Sequence, residues 1–181
     1  MSIGLKRGTV LVEPHKVEWE LSAQEIINTL KEILKENIMD AQHIGSTSIK
    51  GIFAKPIIDI VIGVKDFDSI LKYNDVLMRR GILYRKEERP GQHLYVCGDL
   101  ENNIHTHYIH AVIWGEKDWN NYINLRDYLN THPEIAQNYS DLKKHLAKIY
   151  PQDRLAYTNG KSLLIEYILQ CAKVWRKQAE T

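Results

Sequence analysis

The residues with most to offer chemically lie in two short runs. The first is His43-Ile44-Gly45-Ser46-Thr47-Ser48; the second is Lys55-Pro56-Ile57-Ile58-Asp59-Ile60-Val61. A Gly-Ser turn exposes backbone N–H groups beside hydroxyls and can hold phosphate oxygens. Glycine at position 45 permits a close backbone approach that a side chain would obstruct. Ser46, Thr47 and Ser48 add hydroxyl donors. Asp59 sits inside an otherwise apolar run, where a carboxylate is costly unless it is paired, hydrogen-bonded or bound to a metal. It could equally cap a neighbouring turn or pair with a lysine, and the turn's hydroxyls could serve only local backbone groups. These two runs alone leave both readings open.

Among the basic residues, Lys55 immediately precedes the Asp59 run, Arg126 lies in Leu125-Arg126-Asp127-Tyr128-Leu129, and Lys161 opens the final apolar segment. By default each is a solvated surface charge, and Arg126 with Asp127 could be a structural ion pair. Gly160-Lys161-Ser162 resembles the end of a P-loop, but position 155, where the first glycine belongs, is leucine. The segment also follows a helical pattern rather than a strand. Asn159-Gly160 therefore reads as a turn before the last helix.

The run HIGSTSIKGIFAKPIIDIVIGV, residues 43–64, resembles the signature of the GrpB-like family. The likeness continues through LRDYLNTHPEIAQNYSDLKKHLA into the final helix and covers nearly the whole chain. That family is similar to the nucleotidyltransferase superfamily. The resemblance implies an α/β fold with a mixed sheet, flanking helices and a helical C-terminal part. The superfamily pattern is a Gly-Ser turn followed by two acids one residue apart on a strand, which share a face and hold Mg²⁺ against a triphosphate. Gly45 and Ser46 match the turn and Asp59 matches the first acid, but the second acid position is Val61. That argues against ordinary two-metal nucleotidyl transfer. On the later strand, His105-Thr106-His107-Tyr108-Ile109-His110, residues 108 and 110 share a face and 107 points away. The resemblance makes Asp59 a candidate catalytic residue, and makes Asp59 with His110 the candidate ligands of a divalent metal. Such a set suits Zn²⁺, Mn²⁺ or Fe²⁺ better than Mg²⁺. It also raises Lys55 and Arg126 to candidate phosphate ligands beside Gly45, Ser46, Thr47 and Ser48. The histidines could instead be ordinary sheet and surface residues, and that reading is preferred for His105.

These residues need elements to position them. Gly8 to Glu13 reads as an opening strand closed by Pro14. Ser22 with Glu25 fits a capping box, followed by a stripe of Ala23, Ile26, Ile27, Leu30 and Leu34. A short strand is expected near Ile38–Ile44, and the strongest strand over Ile57–Val64, apolar on both faces as in a buried sheet centre. Phe67 to Met78 predicts a helix ending near Gly81. Strands follow around His93–Cys97 and Ile104–Trp114, joined by a turn at 98–103. The rest is helical: one helix through Trp119 and Leu129, one opened by Pro133 and broken by Pro151, and a last one through Leu164 and Trp175. These helices are expected to cover one side of the sheet.

Composition bounds the function classes. With 181 residues, the chain is expected to form a single domain spanning 1–181. A net charge of +1 gives no strong nucleic-acid signal. No run approaches the roughly 20 apolar residues of a membrane span, and no signal peptide is apparent. A cytoplasmic location is the default expectation. Cys97 and Cys171 form no metal or redox motif and are expected to be free thiols. The leading reading is a nucleotidyltransferase-like protein that binds a nucleotide or other phosphorylated small molecule. A non-catalytic binding or scaffold module, and a metal-dependent enzyme of another class, are the alternatives. One geometric expectation discriminates early: Asp59, Ser46 and His110 should line one cleft. A structure with Asp59 and His110 on opposite faces of the sheet would contradict it.

Overall fold

The computed structural model describes residues 3–179. Six strands form one sheet: β1 (Leu5–Lys6), β2 (Ile38–Ile44), β3 (Ile58–Val64), β4 (Leu83–Arg89), β5 (Gln92–Asp99) and β6 (Ile104–Ile113). Their order is β2-β3-β6-β5-β4, with β1 against the start of β6. β3 and β6 run parallel, and the other pairs are antiparallel. The helices are α1 (Val17–Leu34), α2 (Asp68–Leu71), α3 (Asn74–Arg79), α4 (Lys117–Thr131), α5 (Pro133–Ile149), α6 (Arg154–Asn159) and α7 (Ser162–Ala179). None of the described helices is long and apolar enough to cross a membrane.

Alternation along β3 divides the core. Ile58, Ile60, Ile62 and Val64 face α1 and cluster with Trp19, Ala23, Ile27, Leu30 and Leu34. Val61 faces the other way and packs with Ile44, Val112 and Trp119 at the start of α4. Gly63 shares that second face. A Cβ there would lie 2.5 Å from Trp114 Cδ1 and 3.0 Å from Trp119 Cε3, so only glycine lets both indoles close over the strand. Asp59 shares the face of Val61 and Gly63 and is its polar member.

A third apolar cluster joins α4, α5 and α7 to the loop after the Gly-Ser turn, through Ile49, Ile52, Leu129, Ala136, Tyr139 and Ile168. Polar clamps fix the same loop. Asn130 Nδ2 donates to the Ser48 carbonyl at 3.0 Å, and its Oδ1 accepts from Lys50 N at 3.1 Å. Phe53 N donates to Ser140 Oγ at 2.9 Å, and Lys143 Nζ donates to the Phe53 carbonyl.

Several elements differ from the sequence expectation. The opening strand lies at Leu5–Lys6, and 8–13 is not a strand. Val10 is instead buried against Leu146 and Tyr157, while Glu13 makes a lone bridge to Ala54. Its apolar residues found a helix surface rather than a sheet neighbour. α1 starts at Val17, so Ser22 is interior rather than a cap, and its hydroxyl pairs with His107 Nε2 at 3.0 Å. The helix expected over 67–78 is two short pieces, α2 and α3. β4 and α6 were not expected. Cys97 is buried and Cys171 half-buried, both free, and burial pushes the Cys97 thiol up to about 12.

β3 is an interior strand of the sheet, and its α1-facing side chains lie in the core. Ile60, fully buried, should cost about 2–5 kcal/mol when replaced by alanine. Urea unfolding measures this, and a loss below about 1 kcal/mol would contradict the placement of Ile60 at the core centre.

Candidate functional site

β2 ends at Ile44, which is paired with Asp59 at the start of β3. The chain then turns at Gly45, with φ 69° and ψ −171°, a conformation open essentially to glycine alone. A Cβ on Gly45 would lie 2.6 Å from Asp59 Oδ2 and 2.9 Å from Asp59 Cβ. Positive φ and close approach therefore demand the same residue. On the other side of β3, Asp59 is in register with Tyr108 and Val61 with His110.

These strands bring Gly45, Ser46, Thr47, Lys55, Asp59 and His110 to the wall of one cavity of about 430 Å³. Tyr122 from α4, Arg154 and Tyr157 from α6, and Lys161 just before α7 complete it. Ser46, Asp59 and His110 thus line a common cleft. The turn's hydroxyls are not equivalent. Ser48 Oγ donates to the Gly45 carbonyl at 2.7 Å, and Ser48 lies outside the cavity wall. Thr47 is buried with its Oγ1 2.9 Å from His43 Nε2. Ser46 has only a long 3.4 Å bond to Tyr139 Oη, so its hydroxyl is the one most able to meet a ligand. Arg126 does not reach the cavity. Its guanidinium binds Asp127, Gln42 Oε1 at 2.5 Å and the His43 carbonyl at 3.2 Å, tying α4 to β2.

His110 bridges two acids. Its Nε2 is 3.5 Å from Asp59 Oδ1 and its Nδ1 is 3.7 Å from Glu88 Oε2, while its ring stacks on Tyr122 with centroids 5.3 Å apart. Burial alone would depress the imidazole, but hydrogen bonding and charge from Asp59 and Glu88 outweigh it and lift His110 to about 9. Burial likewise opposes ionisation of Asp59, yet the bond and charge of His110, with Lys55 and Lys161, hold its carboxyl below its ordinary value. Both shifts run toward the charged forms, imidazolium and carboxylate.

The remaining wall is cationic. Lys55 Nζ and Lys161 Nζ each lie 5.2 Å from the ring centroid of Tyr157, sharing one aromatic face system. Arg154 donates to Tyr108 Oη at 2.7 Å. Among the described residues none of Lys55, Arg154 and Lys161 forms an ion pair with a carboxylate. Burial, then Arg154 and Lys161, push Lys55 down to about 7, against a smaller opposing pull from Asp59. Lys143, behind the wall with its ammonium 4.4 Å from the Tyr139 ring centroid, is held well below the ordinary lysine range by burial and by Lys161 and Lys55.

A divalent metal requires a set of anionic or neutral donors. Among the described residues no three His, Cys, Asp or Glu side chains gather in a way that could hold one. Val61 is fully buried in apolar contacts, and His110 lies between the carboxylates of Asp59 and Glu88. The donor set does not fit the two-metal arrangement of complete nucleotidyltransferases.

Sequence reasoning missed Arg154, Tyr157, Tyr122 and Glu88. Arg154 and Tyr157 sit on a six-residue helix without an apolar stripe, and Glu88 lies in a charged strand that reads as a loop. No local pattern distinguishes them.

A Gly-Ser turn leading to a carboxylate on an interior strand of this mixed sheet is the arrangement of a nucleotidyltransferase-type fold. Solved structures of the Cid1 poly(U) polymerase share it: one bound to MgGTP has a TM-score of 0.51 at 14% identity, covering 75% of this chain and 44% of that one. The chain belongs to the GrpB family, whose model, described as GrpB protein, matches residues 9–171. A crystal structure of conserved protein GrpB from Enterococcus faecalis superposes with a TM-score of 0.84 at 31% identity, over 91% of this chain and 99% of that one. Glutamate-rich protein GrpB of Alkalihalophilus pseudofirmus is 36% identical over 170 residues, 92% of this chain and 98% of its own length. UPF0157 protein YqkA of Bacillus subtilis is 32% identical, and this chain spans 46% of its length.

The His110 pair makes stability depend on pH with a definite sign. A folded-state value of about 9, above the ordinary 6.5, gives stabilisation that is complete below 6.5 and lost as pH rises through 9. Lys55, depressed in the folded state, contributes in the opposite sense over the range from about 7 to 10.5. The difference between the native protein and His110→Gln isolates the first effect. Unfolding at pH 6 and pH 9.5 should show a stability gap of up to about 3 kcal/mol that narrows at the higher pH. A gap that widens with pH would contradict the pairing.

Proposed function

We propose that the cavity binds a nucleotide or another phosphorylated small molecule through its phosphate groups. The observation that carries this reading is the convergence of Lys55, Arg154 and Lys161 on one concave wall whose lining has a single carboxylate, Asp59. Cations crowded into a partly dry site repel one another and lose hydration, a cost that an arriving anion offsets. The depression of Lys55 is the local mark of that cost. Asp59 would oppose an anion, but His110 already answers its charge. The Ser46 hydroxyl and the turn's backbone can add hydrogen bonds to phosphate oxygens. The nucleotidyltransferase-type fold favours a nucleotide within the phosphorylated class, as an analogy of fold.

In this reading the protein's own cations take the place of a metal on the phosphates. Two-metal nucleotidyl transfer is not part of the proposal. A binding module that keeps the fold without that chemistry is the form that Val61 supports best. Asp59 and His110 then serve to hold a compensated charge beside the phosphate.

Calorimetry with nucleoside triphosphates tests the reading directly, with EDTA and then with Mg²⁺ or Mn²⁺. Binding should persist in EDTA. Lys161→Gln and Ser46→Ala should each weaken it about ten- to a hundredfold, as expected for loss of a hydrogen bond to a charged group. A phosphate beside Lys55 should raise its basicity, so binding near pH 8 should take up a proton. The apparent enthalpy should then vary with the buffer's ionisation heat, and Lys55→Met should abolish that variation. No binding by any nucleoside triphosphate or inorganic polyphosphate would sink the proposal, and strict dependence on a divalent metal would replace it with a metal-centred reading.

A further inference from the structure

Tyr108 and Arg154 have a second neighbourhood. Beside them a groove of about 690 Å³ runs along β4 and β5. Its floor is apolar, formed by Leu94, Val96 and the Tyr108 ring, which pack together in one cluster. Its walls are basic. Arg7 comes from the end of β1, Arg85 and Lys86 from β4, and Arg154 from α6. Among the described residues Arg7, Arg85 and Arg154 form no ion pair with a carboxylate. The lining has one acid, Glu88, and that carboxylate is occupied by Gln92 Nε2 at 2.7 Å and by His110.

Arg7, Arg85 and Arg154 line the same groove although their elements are distant in sequence. His105, at the back of the groove with Nδ1 3.0 Å from Tyr108 Oη, feels all three. Burial lowers its basicity first, and Arg154, Arg85 and Arg7 lower it further. Arginine presents a planar fork of donors that matches phosphate bidentately. Three such forks over an apolar floor fit a molecule with an anionic head and a flat or apolar body.

We propose that this groove is a second anion-binding subsite, which takes the phosphate of a second phosphorylated ligand and shares Arg154 with the cavity at Asp59. The ligand's body lies on Leu94, Val96 and Tyr108. Its head lies among Arg7, Arg85 and Arg154. Because the two spaces share Tyr108, Arg154 and Thr158, two occupants would meet at the Arg154 guanidinium. The pairing of that ligand with a nucleotide rests on the function proposed above; anion binding by the groove does not.

Inorganic pyrophosphate, titrated into the full chain by calorimetry, separates the two sites. The native protein should bind two equivalents. An Arg7→Gln/Arg85→Gln double variant should lose one, weakened about ten- to a hundredfold, and keep the other. Lys161→Gln should do the reverse. Arg7 and Arg85 are exposed, so the double variant should unfold at the native urea midpoint. A Lys31→Gln/Arg79→Gln variant, with the same charge loss on exposed residues elsewhere, should retain both equivalents. The groove proposal is overturned if the double variant titrates like the native protein, or if the remote pair weakens binding as much. A single native equivalent lost only in Lys161→Gln would overturn the groove and leave the cavity reading standing. A single equivalent lost only in Arg7→Gln/Arg85→Gln would do the opposite, and no binding at all would remove both.

Discussion

The backbone at Gly45 lies so close to the Asp59 carboxylate that no Cβ fits between them. Most of the cavity follows from that contact. It sets where β2 ends, because the chain must leave the sheet at the residue after the Asp59 pairing partner. It places the Ser46 hydroxyl toward Tyr139, and the loop that follows is held by Asn130, Ser140 and Lys143 from α4 and α5. Lys55 reaches the cavity from the end of that gripped loop. The Gly-Ser turn thus acts as a spacer between a carboxylate and a hydroxyl, and the helices fix its far end.

Charge then distinguishes the surroundings of Asp59. At the position two residues beyond Asp59, Val61 belongs to the apolar packing beneath Trp119. A second carboxylate there would have to displace that packing and would sit beside Asp59 with no cation of its own. The sheet instead supplies His110 from β6 as the counterion to Asp59, with Glu88 behind it. The result is an acid–imidazole pair in a cavity also lined by Lys55, Arg154 and Lys161.

The sheet centre and the turn were legible in the sequence because they obey local rules. Ile58–Val64 is apolar on both faces, and Gly45-Ser46 precedes it at a readable distance. Parity along a strand was enough to put His110 on the Asp59 side and His107 on the α1 side. The failures are equally physical. β4 reads Leu-Tyr-Arg-Lys-Glu-Glu-Arg, and an edge strand that needs no buried second face carries little periodic signal. Val10 and Val12 look like a strand but pack on helices α5 and α6. Ser22 has the sequence of a cap, yet its hydroxyl is taken by a histidine 85 residues away. Arg126 looked like a ligand for the turn, but its guanidinium is used to hold β2 to α4. Arg154 could not be found at all, since its importance comes only from where α6 is set down.

The parallel pairing of β3 with β6 has a kinetic meaning. Asp59 and His110 are separated by 51 positions, and β4 and β5 lie in sequence between the strands that carry them. The meander is built from neighbouring strands joined by tight turns and closes short loops. The β3–β6 step closes a long one, and its entropy cost must be met before the contacts reward it. The carboxylate and its imidazole are therefore brought together by a long-range step of sheet assembly, and a chain in which β3 and β6 have not paired has no cavity at Asp59.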